Sequence, residues 1–273
     1  MDDLERIGMI LQKAGLPLWG VCPFWAVRDH LLPCRGKDRI PSQASSVLCV
    51  LFPYLTGQEE GRNVSRYAVG PDYHQIADHF LKQAVKMLSI SFKNNKFIHF
   101  VDNSPIPEVR AAAWAGLGVV GQNGLLIHKT YGSFVFIGEI VTDLALPVPL
   151  REPALCPGCG ACIRSCPTGA LAAGGLDREK CLSAVSQQKG DLTEFQAAQL
   201  LKSGCAWGCD RCQEACPLNR AAAPTPYPAF LQGAVPHVTP QVVEERTDRA
   251  YLWRGKWVIL RNLKLLGEKK EEP

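Results

Sequence analysis

No apolar run in this 273-residue chain approaches the roughly 20 residues that a bilayer-spanning helix needs. Nor does the first segment, MDDLERIGMILQKAG, carry the basic start and small-residue cleavage site of an export signal; it is acidic and amphipathic. Both absences point to a cytoplasmic protein without a membrane segment. An excess of one charge is also lacking. The 30 Lys and Arg against 26 Asp and Glu leave a formal net charge of +4, which permits an anionic partner such as RNA without demanding one. No G-x-x-x-x-G-K-[ST] loop, H-E-x-x-H or G-x-S-x-G occurs, which excludes P-loop, zincin and nucleophile-elbow chemistry. What remains is an ordinary globular composition, 47% hydrophobic and 21% charged, long enough for one large or two ordinary domains.

Cysteine, by contrast, is abundant, with 12 in the chain. Cys156, Cys159, Cys162 and Cys166 lie in CPGCGACIRSCP, and this C-x2-C-x2-C-x3-C-P spacing is the bacterial-ferredoxin arrangement for cubane iron–sulfur clusters. A partial second copy, CAWGCDRCQEACP, supplies Cys209, Cys212 and Cys216 but has Ala206 where its first cysteine belongs. In two-cluster ferredoxins the cysteine before proline serves the other cluster. Cys216 therefore joins Cys156, Cys159 and Cys162, and Cys166 joins Cys209 and Cys212. The fourth ligand of the second set is Cys181 or Cys205; loop reach favours Cys181, because Cys205 lies one residue out of phase. Zinc prefers isolated C-x2-C pairs, so the x3-C-P endings argue for two [4Fe–4S] clusters instead. Thiols and labile clusters also fit a reducing compartment.

Periodicity predicts a helix over residues 2–14, a buried strand over 45–55, a helix over about 73–91 and a strand ending at Asp102. GSFVFIGEIVTDLAL reads as two β-rich segments, and PVPLREPA as a Pro-rich link. This gives an α/β domain over residues 1–150, a ferredoxin-like module over 151–219 and an extension over 220–273. Cys22, Cys34 and Cys49 show no ligand spacing, and Cys49 reads as core packing. Asp72 is a candidate N-cap for the helix at 73. Gly116, Gly118 and Gly121 form a G-x-G-x-x-G, but a helical stretch precedes it where a dinucleotide site needs a strand. A glycine loop that lets backbone approach a large cofactor fits better. Near the end, Arg249, Arg254, Lys256, Arg261 and Lys264 interleave with Trp253 and Trp257, which could grip RNA, yet the apolar spacing favours a packing helix.

The ordered set RYAVGPDYH, VDNSP, AGLGVVGQN, GSFVFIGEI, CPGCGACIRSCPTGA and GCDRCQEACPLN resembles the epoxyqueuosine reductase family, cobalamin-dependent iron–sulfur enzymes of tRNA queuosine synthesis. The likeness covers most of residues 60–220. It implies a mixed α/β (α+β) fold: a cobalamin-binding domain like those of nitroreductases and reductive dehalogenases, with a ferredoxin-like module for two [4Fe–4S] clusters. It implies Cys181 as the remaining ligand, and Asp102 of VDNSP as the proton donor. It also implies that Arg66, Tyr73, His74, Asp102, Gln122, Asn123, Ser133 and Asp210, on the matching motifs, contact the cofactor.

Three departures stand out: Gln122 replaces the family's usual Lys in G-K-N, the segment before RYAVG is short, and the chain ends without the helical-repeat domain many members carry. The expected activity is reduction of an epoxide to an alkene, by a monomer that takes electrons from a ferredoxin or flavodoxin, with tRNA as a possible partner. Two alternatives are a corrinoid reductase of a small molecule, like the dehalogenases, and an electron carrier without its own substrate.

Overall fold

A computed structural model describes residues 1–57, 60–148 and 152–267. Helix α1 (Asp3–Lys13) starts on a capping box, in which Asp2 accepts from the Glu5 amide at 2.7 Å and Glu5 accepts from the Asp2 amide at 3.0 Å. Its apolar spacing buries Ile7 and Leu11. There follow β1 (Trp19–Pro23), the short α2 (Trp25–Arg28), β2 (Ser46–Pro53), α3 (Tyr73–Ser91), β3 (Phe97–Val101), α4 (Glu108–Trp114), β4 (Val119–Val120), β5 (Leu126–Ile127) and β6 (Val135–Thr142). Strands β1, β2, β6 and β3 pair antiparallel in that order.

Both faces of this sheet are covered, which explains the unbroken apolar run of β2. Leu48, Val50 and Phe52 face Ile7, Leu11, Leu81 and Leu88 of α1 and α3. Val47, Cys49 and Leu51 alternate to the other face, against α2 and the alanines of α4. Cys49 is indeed core, fully buried.

The region 132–146 forms one strand rather than the two β-rich segments expected. Gly138 is no turn: it pairs with Val50 and Val101, and a Cβ there would stand 2.7 Å from Leu81 Cδ1. The missing side chain lets α3 press on the sheet. Likewise a Cβ on Gly118 would meet the Ile127 carbonyl at 2.5 Å, so this glycine serves the β4–β5 hairpin. Helix α4 precedes that glycine run, β4 lies within it and β5 follows, so the strand–loop–helix order of a dinucleotide fingerprint is absent there.

The cysteine-rich part holds α5 (Ala161–Arg164), β7 (Leu171–Ala172), β8 (Gly175–Leu176), α6 (Leu182–Ser186), α7 (Glu194–Ser203) and α8 (Arg211–Glu214). After it come α9 (Pro228–Leu231), α10 (Pro240–Glu245) and α11 (Lys256–Gly267). Val258, Ile259 and Leu263 of α11 pack on Trp207 and on Val64 to Val69, so the C-terminal part clasps both earlier parts. No described helix is long and apolar enough to cross a membrane. Residues 149–151 of the expected Pro-rich link, and the tail after Gly267, lie outside the described residues.

Candidate active site and cluster cavities

The eight cysteines divide between two cavities. One, of about 50 Å³, is ringed by Cys156, Cys159, Cys162 and Cys216, with Gly121, Gln122 and Asn123 on its wall. The other, of about 500 Å³, has Cys166, Cys181, Cys209 and Cys212 along one side. Cys162 lies within electrostatic reach of Cys156 and Cys216, and Cys209 within reach of Cys166 and Cys181. Short helices α5 and α8 carry Cys162 and Cys212, and in each motif the cysteine before proline lines the other cavity. Cys205 also comes near Cys209, but its thiol donates to the Trp207 carbonyl at 3.3 Å and does not line the cavity. Among the described residues no three His, Cys, Asp or Glu side chains converge as they would around one metal ion.

The same cavity is lined by Tyr73, His74, Asp102 and Glu108. Asp72 caps α3 as expected, accepting the His74 amide at 3.0 Å. Its same oxygen lies 2.6 Å from His74 Nδ1, while His74 Nε2 lies 3.2 Å from Asp102 Oδ2. Tyr73 fixes the imidazole from one face, stacked at 4.0 Å, and is itself stacked on Phe136 at 3.9 Å. Burial works against charging His74, but hydrogen bonds to Asp102 and Asp72 outweigh it and raise its pKa to about 9. The imidazole therefore holds both protons at neutral pH.

Asp102 is the one non-glycine residue with positive φ among the described residues, at 55°. Its carbonyl accepts from the Ser104 amide in a tight turn. This backbone is strained for an L-residue and turns the carboxylate to the cavity rim, half-exposed. It does not cap α4, whose N-cap is Pro107. Behind it, burial and the charge of Asp102 push Glu108 up to about 7.

The expected contact residues separate into groups. Tyr73, His74, Asp102, Asn123 and Ser133 line the large cavity. Gln122 lies with the first cysteine set. Arg66 and Asp210 form the support behind: Asp210 accepts from the Arg66 amide at 2.8 Å and from Gln213 Nε2 at 3.0 Å, and Gln213 accepts from Ser133 Oγ at 2.9 Å. Asn219 closes this network on Ser133 at 2.8 Å. A chain of side-chain hydrogen bonds thus ties the cysteine-bearing helix α8 to the start of β6.

Sequence reasoning missed Glu108, Gln213, Arg178 and Arg211, all on the cavity lining, while Trp253, also there, lies in the basic-aromatic segment it singled out. The basic-aromatic segment mostly packs. Arg249 is 1% exposed and donates to the Val69 carbonyl at 3.1 Å, Arg261 donates to the Gln188 carbonyl at 3.0 Å, and Lys256 pairs with Glu244. Trp253 stays exposed at the cavity mouth, with the Arg254 guanidinium 3.6 Å over its ring.

Residues 155–219 match a 4Fe-4S double cluster binding domain, and residues 38–103 match the model described as epoxyqueuosine reductase QueG, DUF1730. An epoxyqueuosine reductase of Cyclobacterium marinum is 33% identical over 244 residues, covering 84% of this chain and 78% of the relative. That of Gloeobacter violaceus is 38% identical over 195 residues, covering 69% of this chain and 60% of the relative. The aligned region is thus less than two thirds of the length of some curated relatives.

Among solved structures, epoxyqueuosine reductase from Streptococcus thermophilus superposes with TM-score 0.82 at 23% identity, covering 100% of this chain and 82% of that one. An epoxyqueuosine reductase crystallised with a modified tRNA-Tyr stem loop also gives 0.82, at 23% identity, covering 96% and 80%. A catabolic reductive dehalogenase gives 0.50 at 17% identity, covering 97% of this chain and 36% of that one. These likenesses establish the mixed α/β fold.

Proposed function

Because this chain belongs to the epoxyqueuosine reductase family, we propose that it reduces an epoxide to an alkene, with epoxyqueuosine in a tRNA anticodon loop as substrate. The observation that carries this reading is the large cavity, whose lining brings together the cysteine set Cys166, Cys181, Cys209 and Cys212 and the hydrogen-bonded pair His74 and Asp102. Such a site can receive both electrons and protons. Cys156, Cys159, Cys162 and Cys216 would hold one [4Fe–4S] cluster, and Cys166, Cys181, Cys209 and Cys212 the other.

A corrinoid suits this cavity: Leu125, Val135, Phe136 and Ile137 give it apolar surface, and Ser133 and Asn123 offer polar contacts. Bound there, cobalamin would supply the two electrons that reduce the epoxide, fed to it one at a time through the clusters. The protons must come from the chain. Asp102 donates to the departing oxygen, and His74, kept protonated by its two carboxylates, returns a proton to Asp102. Asp72 and the Tyr73 stack hold the imidazole in line. RNA approaches the mouth, where Arg178 and Arg211 can meet phosphate and Trp253 can stack with a base.

Anaerobic protein carrying both clusters and cobalamin, given a chemical reductant and an epoxyqueuosine stem-loop, should release the alkene product. Reduction of a small epoxide or halide but no RNA would favour the dehalogenase-like alternative. Electron uptake without any product would favour the carrier.

A further inference from the structure

Glu139 is a carboxylate in an apolar core. It sits in the middle of β6, paired with Cys49 and Phe100, fully buried, and neither side-chain oxygen has a hydrogen-bond partner. Strand alternation puts it on the same sheet face as Ile137 and Val141, under the alanines of α4. Glu108 begins α4, one turn before the alanines that cover this face, and lines the large cavity together with Asp102. An ionised carboxylate left unpaired in such a place costs several kcal/mol, so the buried member must keep its proton.

We propose that Glu108 and Glu139 share a proton beneath the cavity, and that Glu108 passes it to Asp102 as the second of the two protons consumed in the reaction. This rests on the reductase reading above. Opening an epoxide and expelling its oxygen takes two electrons and two protons: one C–O bond breaks as the oxygen gains its first proton, the second breaks as it leaves as water, and C=C forms. The electrons come from the ferredoxin- or flavodoxin-class donor through the clusters. His74 supplies one proton through Asp102, and Glu108, on the same cavity lining, is the further acid that can recharge Asp102 for the second.

The groups around the pair suit that role. Glu139 feels the charges of Glu108 and Asp102 and has the Ser104 hydroxyl facing it, and Cys49 opposes it across the strand pair. Glu108 feels Asp102, with Tyr73 nearby on α3. Arg110, two residues along α4, is turned away to the Ala26 carbonyl at 2.7 Å. Both carboxyls are pushed up, first by burial and then by neighbouring carboxylates, which is the condition for one shared proton at neutral pH. Glu139 acts through Glu108, as a positioning residue.

The test is infrared titration of the protein carrying carboxyl-13C glutamate, whose isotope shift separates its acids from aspartic acids. A glutamic acid C=O band should persist at pH 7.5, vanish in Glu139→Gln, and change frequency in Glu108→Gln. No such band in wild type overturns the shared proton, even if a variant fails to fold. In the loaded enzyme, Glu108→Gln should lower single-turnover rate by about tenfold or more and remove the fall in rate above about pH 7. Glu139→Gln should move that limb to lower pH. Unchanged profiles in both variants overturn the delivery. A wild-type enzyme with the band but no turnover of the epoxide would instead overturn the reductase reading, and with it the proton's destination.

Discussion

His74 Nε2 and Asp102 Oδ2 lie 3.2 Å apart, and the imidazole's other nitrogen lies 2.6 Å from Asp72 Oδ1. The ring is thus clamped between two carboxylates at the cavity edge. Replacing it by His74→Gln should leave both clusters in place but lower turnover by roughly 10–100-fold, since proton delivery is worth that order or more. Wild-type activity, already lower above about pH 7, should decline further as pH rises through about 9, where the imidazole loses its second proton. The same raised value gives a stability contribution that is complete below the ordinary His range near 6.5 and lost as pH climbs toward about 9. Thermal denaturation at pH 6 and pH 9.5, wild type against His74→Gln, measures it.

Cys181 and Cys205 compete for one ligand position in the sequence, and the structure gives them different surroundings. Cys181→Ala should reconstitute with about four irons, and Cys205→Ala with about eight, the two-cluster content. Iron and acid-labile sulfide analysis decides. The reverse pattern would move the ligand to Cys205.

Glu139→Gln should stabilise the protein at alkaline pH. A carboxyl whose folded value is raised binds its proton more tightly folded than unfolded, so stability falls as pH rises from the ordinary carboxylate range to the folded value. Glutamine removes that slope. The expected gain at pH 8 is on the order of 1–3 kcal/mol, with little change at pH 5. Urea denaturation at the two pH values reads the difference.

Gln213 joins Ser133, Asp210 and Tyr54 in one buried network. Gln213→Ala leaves these groups unsatisfied and should cost about 1–3 kcal/mol. Because the network bridges α8 and β6, proteolysis between the cluster module and the sheet should quicken. An unchanged denaturation midpoint would remove this bridge from the account.

The long elements and the cysteine pairing were legible because each rests on local periodicity or spacing. Helix α3 with its Asp72 cap follows from such signals, as does the exchange of Cys166 and Cys216 between sets. The single strand β6 was not legible, since its mid-strand glycine, Gly138, is explained only by the close approach of Leu81. The His74–Asp102 contact joins residues 28 apart, and the Ser133–Gln213 bond residues 80 apart. No local pattern carries either. Arg249 bears out the packing reading of its segment: a basic residue among aromatics could have gripped RNA, but it is a buried donor to backbone carbonyls.

Single turnover of an epoxyqueuosine stem-loop by Asp102→Asn, in protein shown to hold both clusters and reducible cobalamin, tests the central claim most directly. Asparagine keeps the side chain's shape while removing the acid. Wild type should form the alkene, and the variant should bind RNA and accept electrons yet form product at least ~100-fold more slowly. Product formation at the wild-type rate would contradict the account.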